Sequence, residues 1–139
     1  MLRYLLDTNI CIYALSGRHP RLVHRIDQLA AGEAALSAIA HGELMYGIAK
    51  SRHAEDAALR LAALESRIPV IALPHEAGDH YGDIRATLEL RGTPIGANDL
   101  WIAAHARSAA LILVTGNTRE FVRVPQLRVE DWTQLSAQE

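Results

Sequence analysis

Four short apolar runs, at residues 2–6, 34–36, 70–73 and 111–115, are separated by longer stretches in which apolar residues return at helical spacing. Parallel strands need a crossover long enough to hold a helix, so this alternation describes a parallel sheet covered by helices. A candidate fifth run lies at 127–129. The expected fold class is therefore α/β, with a central parallel β-sheet of four to five strands flanked by helices. Between the first two runs the pattern predicts helices over 9–15 and 21–30, split by Gly17 and Pro20. Ser37 can cap a third helix ending near Lys50, and Ala54, Ala57, Ala58, Leu61 and Leu64 mark a fourth before Pro69. The segment 76–90 places Tyr81, Ile84 and Leu88 on one face and stops at Gly92. A rigid loop over 92–96 then delivers the chain to Asn98 and Asp99, where a helix to about Ala109 is expected to start.

The chain of 139 residues suits one domain over 1–139 and is long enough to bury roughly two-thirds of the surface its unfolded form exposes. A single cysteine, Cys11, excludes an internal disulfide and fits a reducing compartment. The opening apolar run is broken by Arg3 and ended by Asp7, and no apolar stretch reaches membrane-spanning length, so the expectation is a cytoplasmic protein with no membrane partner. The formal net charge of −2 gives no general attraction to nucleic acid, and any such contact must use local basic patches.

Three acids stand where a parallel sheet would expose them: Asp7 just after the first apolar run, Glu43 inside a helical stretch, and Asp99 at a helix start. Strand ends and helix N-termini share one edge of such a sheet, so these carboxylates can meet although they are far apart in sequence. Asp7 reads equally as a turn or N-cap and as a metal ligand. Glu43 shares a helical face with Ile39 and Tyr46 beside the core face of Ala40, Leu44 and Ile48, a rim position open to plain solvation. Asn98 or Asp99 could cap the helix beginning there. Together the three supply hard oxygen ligands, which select Mg²⁺ or Mn²⁺ over zinc.

Thr115, Asn117 and Glu120 follow the last strong strand and fall at the same edge. Thr115 could orient a carboxylate or water, Asn117 could hold a metal-bound water or cap the loop, and Glu120 could approach the site or cap. Crowded carboxylates repel, and a divalent ion removes that conflict while activating a water against a phosphodiester. The expected reaction is hydrolytic cleavage of a nucleic-acid strand. The seven histidines show no zinc-protease spacing, and neither glycine-rich phosphate loop is present. Arg18, Arg21, Arg25, Lys50, Arg52 and His53 could contact phosphates or simply be solvated, and Trp101 and Trp132 could stack on bases or pack in a core or interface.

The segments MLRYLLDTNICIYAL, LSAIAHGELMYGIAKS, GTPIGANDLWIAAHA and LVTGNTREFVRVPQLRVEDW, in this order and spacing, closely resemble the VapC toxins, the PIN-domain ribonucleases of type II toxin–antitoxin modules. The resemblance spans essentially the whole chain. It implies a PIN-like fold, Mg²⁺-dependent endoribonuclease activity in which Mn²⁺ can substitute, a homodimer within a toxin–antitoxin complex, and neutralisation by a VapB-type antitoxin. Operator DNA would be contacted only through that antitoxin. Carried over, the family's core acids fall on Asp7, Glu43 and Asp99 as metal contacts, and its secondary site positions on Thr115, Asn117 and Glu120. Many PIN nucleases have an aspartate where this chain has Asn117, and close relatives carry a bulkier polar residue at Gly116. Some similar toxins cut structured RNA such as initiator tRNA, and this chain looks like that branch.

Two rivals make distinct demands. A phosphatase of the haloacid-dehalogenase type also uses an aspartate after its first strand, but needs a second one two residues on, where Asn9 stands. A non-catalytic binding protein would keep the acidic pocket only to grip a basic partner peptide.

Overall fold

The computed structural model describes residues 1–134, so the last five residues of the expected 1–139 domain lie outside it. Five strands, β1 (Tyr4–Leu6), β2 (Ala34–Ser37), β3 (Val70–Ile71), β4 (Ile112–Val114) and β5 (Val129–Glu130), form one sheet in the order β3-β2-β1-β4-β5. Every pairing is parallel, with Leu5 opposite Ala35 on one side and Leu113 on the other. The chain starts in the middle of the sheet, builds outward to β3, and then crosses to lay down β4 and β5 on the other flank. That reversal opens a crevice between the carboxyl ends of β1 and β4, where open α/β sheets bind ligands.

Helices cover both faces, and their starts follow from local chemistry. α1 (Thr8–Ser16) is capped by Asp7 and ends at Gly17, whose φ of 70° suits a residue without Cβ. α2 (Pro20–Asp27) opens with proline in its first turn, where the missing N–H costs nothing. α3 (Ala38–Ala49) is capped by the Ser37 hydroxyl as expected, and α4 (Ala54–Arg67) and α5 (Ala77–Leu90) match the predicted stretches closely.

Two assignments change. α6 (Ala97–Ser108) starts one residue before Asn98 with Gly96 as its N-cap, so neither Asn98 nor Asp99 caps it. Asp99 instead occupies the third helical position. Residues Thr118–Phe121, read as loop, form a single turn, α7, because Phe121 is pulled into the core and closes it.

The central strands are buried on both faces, which is why they read as unbroken apolar runs. Leu5, Leu6, Leu36 and Leu113 are fully enclosed, each contributing roughly 2–3 kcal/mol by burial. Edge strand β3 keeps only two paired residues and leaves Val70 exposed, so the run to Leu73 is not all strand. Trp132 closes the far end as core, its ring edge-on to Tyr4 at 4.9 Å. Trp101 stacks on Tyr81 at 4.0 Å, joining α6 to α5. The Arg107 guanidinium reinforces that joint by donating to His80 Nδ1 (2.8 Å), Asp83 (2.6 Å) and the Pro125 carbonyl (3.1 Å). No helix among the described residues is long and apolar enough to cross a membrane.

One buried polar contact aligns the two helices that carry site acids. The Ser37 Oγ accepts the Ile39 N–H at 3.2 Å and lies 3.0 Å from Nδ1 of His105, a buried residue of α6. Burial holds the His105 imidazole below its ordinary value of 6.5, so acid charges the unfolded chain first and its contribution to stability is lost as pH falls below that value. Replacing Ser37 with alanine removes the cap and leaves the imidazole nitrogen without its partner. A loss of about 2 kcal/mol in urea unfolding at pH 7.5 is expected.

Candidate active site

The acids gather at the crevice because each is fixed by an element ending or beginning there. Asp7 follows β1, and its backbone N–H donates to the Val114 carbonyl at 3.0 Å, continuing the ladder one residue past the strand. Its side chain is almost wholly buried. Oδ1 accepts the Ile10 N–H at 2.8 Å and Oδ2 accepts the Thr115 hydroxyl at 2.5 Å. Asp7 is therefore a helix cap in fact, and each oxygen retains a lone pair for another ligand. The two readings open at the sequence level are compatible.

Thr8, the next residue, donates its hydroxyl to Glu43 Oε1 at 2.5 Å, so the first residue of α1 orients the acid of α3. Thr115 accepts the Asn117 N–H at 2.9 Å through the same Oγ1 that donates to Asp7. The Asn117 amide donates to Glu120, and its side chain does not cap α7. Glu120 in turn lies near enough to Asp99 to raise its carboxyl. A chain of contacts thus runs from Asp7 through Thr115, Asn117 and Glu120 to Asp99, with the Thr8–Glu43 pair alongside.

The electrostatics are those of crowding. Burial first, then the charges of Glu43 and Asp131, push the Asp7 carboxyl from 3.8 up to about 6 against the Thr115 and Ile10 hydrogen bonds that pull it down. Asp99 is pushed up to about 7 by burial, by its hydrogen bond and charge interaction with Glu120, and by the charges of Asp7 and Glu43. A place in the first turn of α6 favours the anion by about 1 kcal/mol or less, and crowding outweighs it. In the ion-free protein the Asp99 carboxyl therefore stays largely protonated up to near neutrality.

Asp131, directly after β5, is the member that motif reading passed over. The rule that strand ends meet along one edge would have pointed to it. His75 and His80 stand apart on α5 and its approach, paired with Glu76 and Arg107. Arg25 is held by Tyr4, Glu130 and Trp132, so it is no free phosphate contact.

The donor set fits a hard divalent cation: all oxygen, with carboxyls held towards protonation for want of a positive neighbour. Among the described residues no three His, Cys, Asp or Glu side chains close a ready-made cage around one ion. An open set of this kind suits an ion that keeps several of its waters, as Mg²⁺ does, better than one bound wholly by protein.

Gly116 shapes the rim. A Cβ placed there would lie 2.9 Å from the Tyr13 ring, which packs against His19 at 4.6 Å. The bare backbone lets this aromatic pair lean on the loop that carries Thr115 and Asn117.

Comparison with known proteins agrees with this architecture. A PIN-domain family model matches residues 4–127, a span that holds β1 to β4 and the acids Asp7, Glu43, Asp99 and Glu120 and ends before β5 and Asp131. The chain is 44% identical to a tRNA(fMet)-specific endonuclease VapC of Shigella flexneri over 133 residues, covering 96% of this chain and 100% of that protein. It is 43% identical to ribonuclease VapC2 of Haemophilus influenzae, over 95% of this chain and 99% of that one. Among solved structures, DNA-bound VapBC from Salmonella typhimurium superposes with a TM-score of 0.89 at 39% identity, covering 95% of this chain and 99% of that chain. VapBC2 from Rickettsia felis, bound to a promoter DNA fragment, gives 0.88 at 38% identity, covering 94% and 99%. The chain belongs to the VapC family of PIN-domain ribonucleases. PIN-domain ribonucleases are in general dependent on divalent metal ions, in keeping with the oxygen-only donor set.

Two outcomes follow from the site's geometry. Because the Asp7 carboxyl titrates higher in the fold than in the unfolded chain, the native state binds more protons between pH 3.8 and about 6, and stability is lost as pH rises through that window. Asp7→Asn should therefore be more stable than the parent at pH 8 without divalent ions, by up to about 3 kcal/mol. That advantage should shrink at pH 4 and on adding Mg²⁺, as read by thermal unfolding. Gly116→Asn should displace Tyr13 and cost about 1–2 kcal/mol in urea, a loss that disappears in a Tyr13→Ala background.

Proposed function

We propose that the chain is the toxin of a type II toxin–antitoxin module, an endoribonuclease that cleaves initiator tRNA in the cytoplasm and is neutralised by a VapB-type antitoxin. The observation that carries this reading is the chain-long likeness to a tRNA(fMet)-specific endonuclease, with 44% identity and no uncovered segment in that relative. The VapBC complexes among the structural neighbours support the partner, and their bound DNA supports operator contact made through the antitoxin. A homodimer within that complex follows from the same family likeness.

In this reading Asp7, Glu43 and Asp99 hold Mg²⁺, with Mn²⁺ able to replace it. Such an ion supplies charge neutralisation and water activation for in-line hydrolysis of a phosphodiester. The chain's own groups perform the positioning. Thr115 and the Ile10 N–H fix both Asp7 oxygens, so that the carboxylate does not rotate away. Thr8 does the same for Glu43. Asn117 orients Glu120, and Asp99 beside it holds a proton at the cleft wall that would leave when positive charge arrives. Asn117, neutral where many relatives are acidic, removes one charge from an already crowded edge and favours a single tightly held ion.

Asp7→Asn should lower cleavage by at least about a hundredfold while leaving the circular dichroism spectrum unchanged. Mapping RNA 5′ ends after brief expression of both forms checks activity and target together. Cuts in initiator tRNA should appear with the parent chain alone, and its growth arrest should vanish with the substitution. Equal cleavage by the two purified forms would overturn the assignment.

A further inference from the structure

α3 turns one face towards an open groove of about 770 Å³ that begins at the acidic site and runs along the helix. The face is drawn from residues at helical spacing, Ile39, Glu43, Tyr46 and Lys50, and the groove's opposite wall includes Thr8, Ile12 and Asn98. Glu43 and Thr8 thus belong to the groove and to the acidic site at once. Tyr46 is 67% exposed, yet its ring is positioned, with the Lys50 ammonium 4.7 Å from the centroid. Gly42 and Gly47 flank it on the same helix, and a Cβ at either meets nothing within 4 Å, so the helix surface beside the ring is open.

We infer that this groove is a nucleotide subsite, in which Tyr46 stacks a base next to the scissile phosphate and Lys50 meets the following phosphate. The inference rests on the RNA-cleaving function proposed above. An exposed aromatic face paired with a cation is the combination by which proteins grip unpaired nucleotides. Seven residues of helix separate Glu43 from Lys50, about 10 Å along the axis, the reach of a neighbouring nucleotide and not of the scissile phosphate itself. Charge is graded in the same sense. The acidic end repels a phosphate without an ion, and the Lys50 end attracts one. Tyr46 and Lys50 are therefore specificity residues, acting on substrate binding and leaving the acids' chemistry alone.

The test uses the full chain with Mg²⁺ and a stem-loop RNA that spans the mapped cut, with each nucleotide beside the cut replaced in turn by an abasic residue. One abasic position should raise KM about tenfold for the parent, and the same replacement should have no further effect in Tyr46→Leu. Tyr46→Phe should restore the parent's response, with kcat unchanged throughout. Lys50→Gln should raise KM several-fold and reduce the salt dependence of binding by about one counterion. Losses that simply add at every abasic position, or a Tyr46→Leu KM within about twofold of the parent, would overturn the subsite. So would a Tyr46→Leu form that cuts RNA normally but changes oligomeric state or loses antitoxin, since the groove would then be a protein interface. Cleavage by the parent with insensitive variants fells the subsite alone, whereas a parent that cuts no RNA with any divalent ion fells the proposed function and the subsite with it.

Discussion

Mutual repulsion among carboxyl groups at the open end of a parallel sheet is the constraint around which the remaining structure is arranged. Left free, such groups would swing into water and away from one another. The fold prevents this by giving each a short, specific tether. Asp7 is held by a helix amide and a threonine hydroxyl, Glu43 by Thr8, and Glu120 by Asn117. The raised carboxyls at Asp7 and Asp99 reflect burial first, and the neighbouring acids add to it. A site under such tension would gain from positive charge of any kind, and under the proposed function a metal ion and the guanidinium of a partner would compete for the same few oxygens.

The enclosed sheet is what makes the restraint possible. β1 and β4 lie side by side in its centre, so the residues just past them, Asp7 and Thr115, inherit positions set by an apolar core that tolerates little movement. Helix α6 brings Asp99 from another direction, and its alignment with α3 depends on the buried contact between Ser37 and His105. Neither residue touches the cleft. The polar rim is thus positioned by groups that have no part in its chemistry.

Much of this was readable from residue pattern. The apolar runs located all five strands to within a few residues, since central parallel strands must be apolar on both faces, and the edge strands were the least well bounded because their pairing is short. The start of α6 was misplaced by its own polar residues: Asn98 and Asp99 look like caps, while Gly96, with no side chain to offer, is the cap the backbone uses. α7 was hidden because a single turn has no period to detect, and only the tertiary burial of Phe121 creates it. Asp7 and Asp99 could be picked out by rules about strand and helix ends, and Glu43 as an acid on the rim of a helix's apolar face. The tethers of Thr8 and Asn117 depend on side-chain directions that no one-dimensional pattern contains, whereas Asp131 follows a strand end and lay open to the same rule as Asp7.

The sheet order has a temporal side. The strand that carries Asp7 is synthesised first, yet it occupies the middle of the sheet and needs β4, more than a hundred residues later, as a neighbour. Until residues 112–115 have left the ribosome, Asp7 has neither its ladder partner at Val114 nor the hydroxyl of Thr115. The acidic edge therefore assembles only after both segments have been made. For a ribonuclease, this topology postpones a working site until a distant strand has been made.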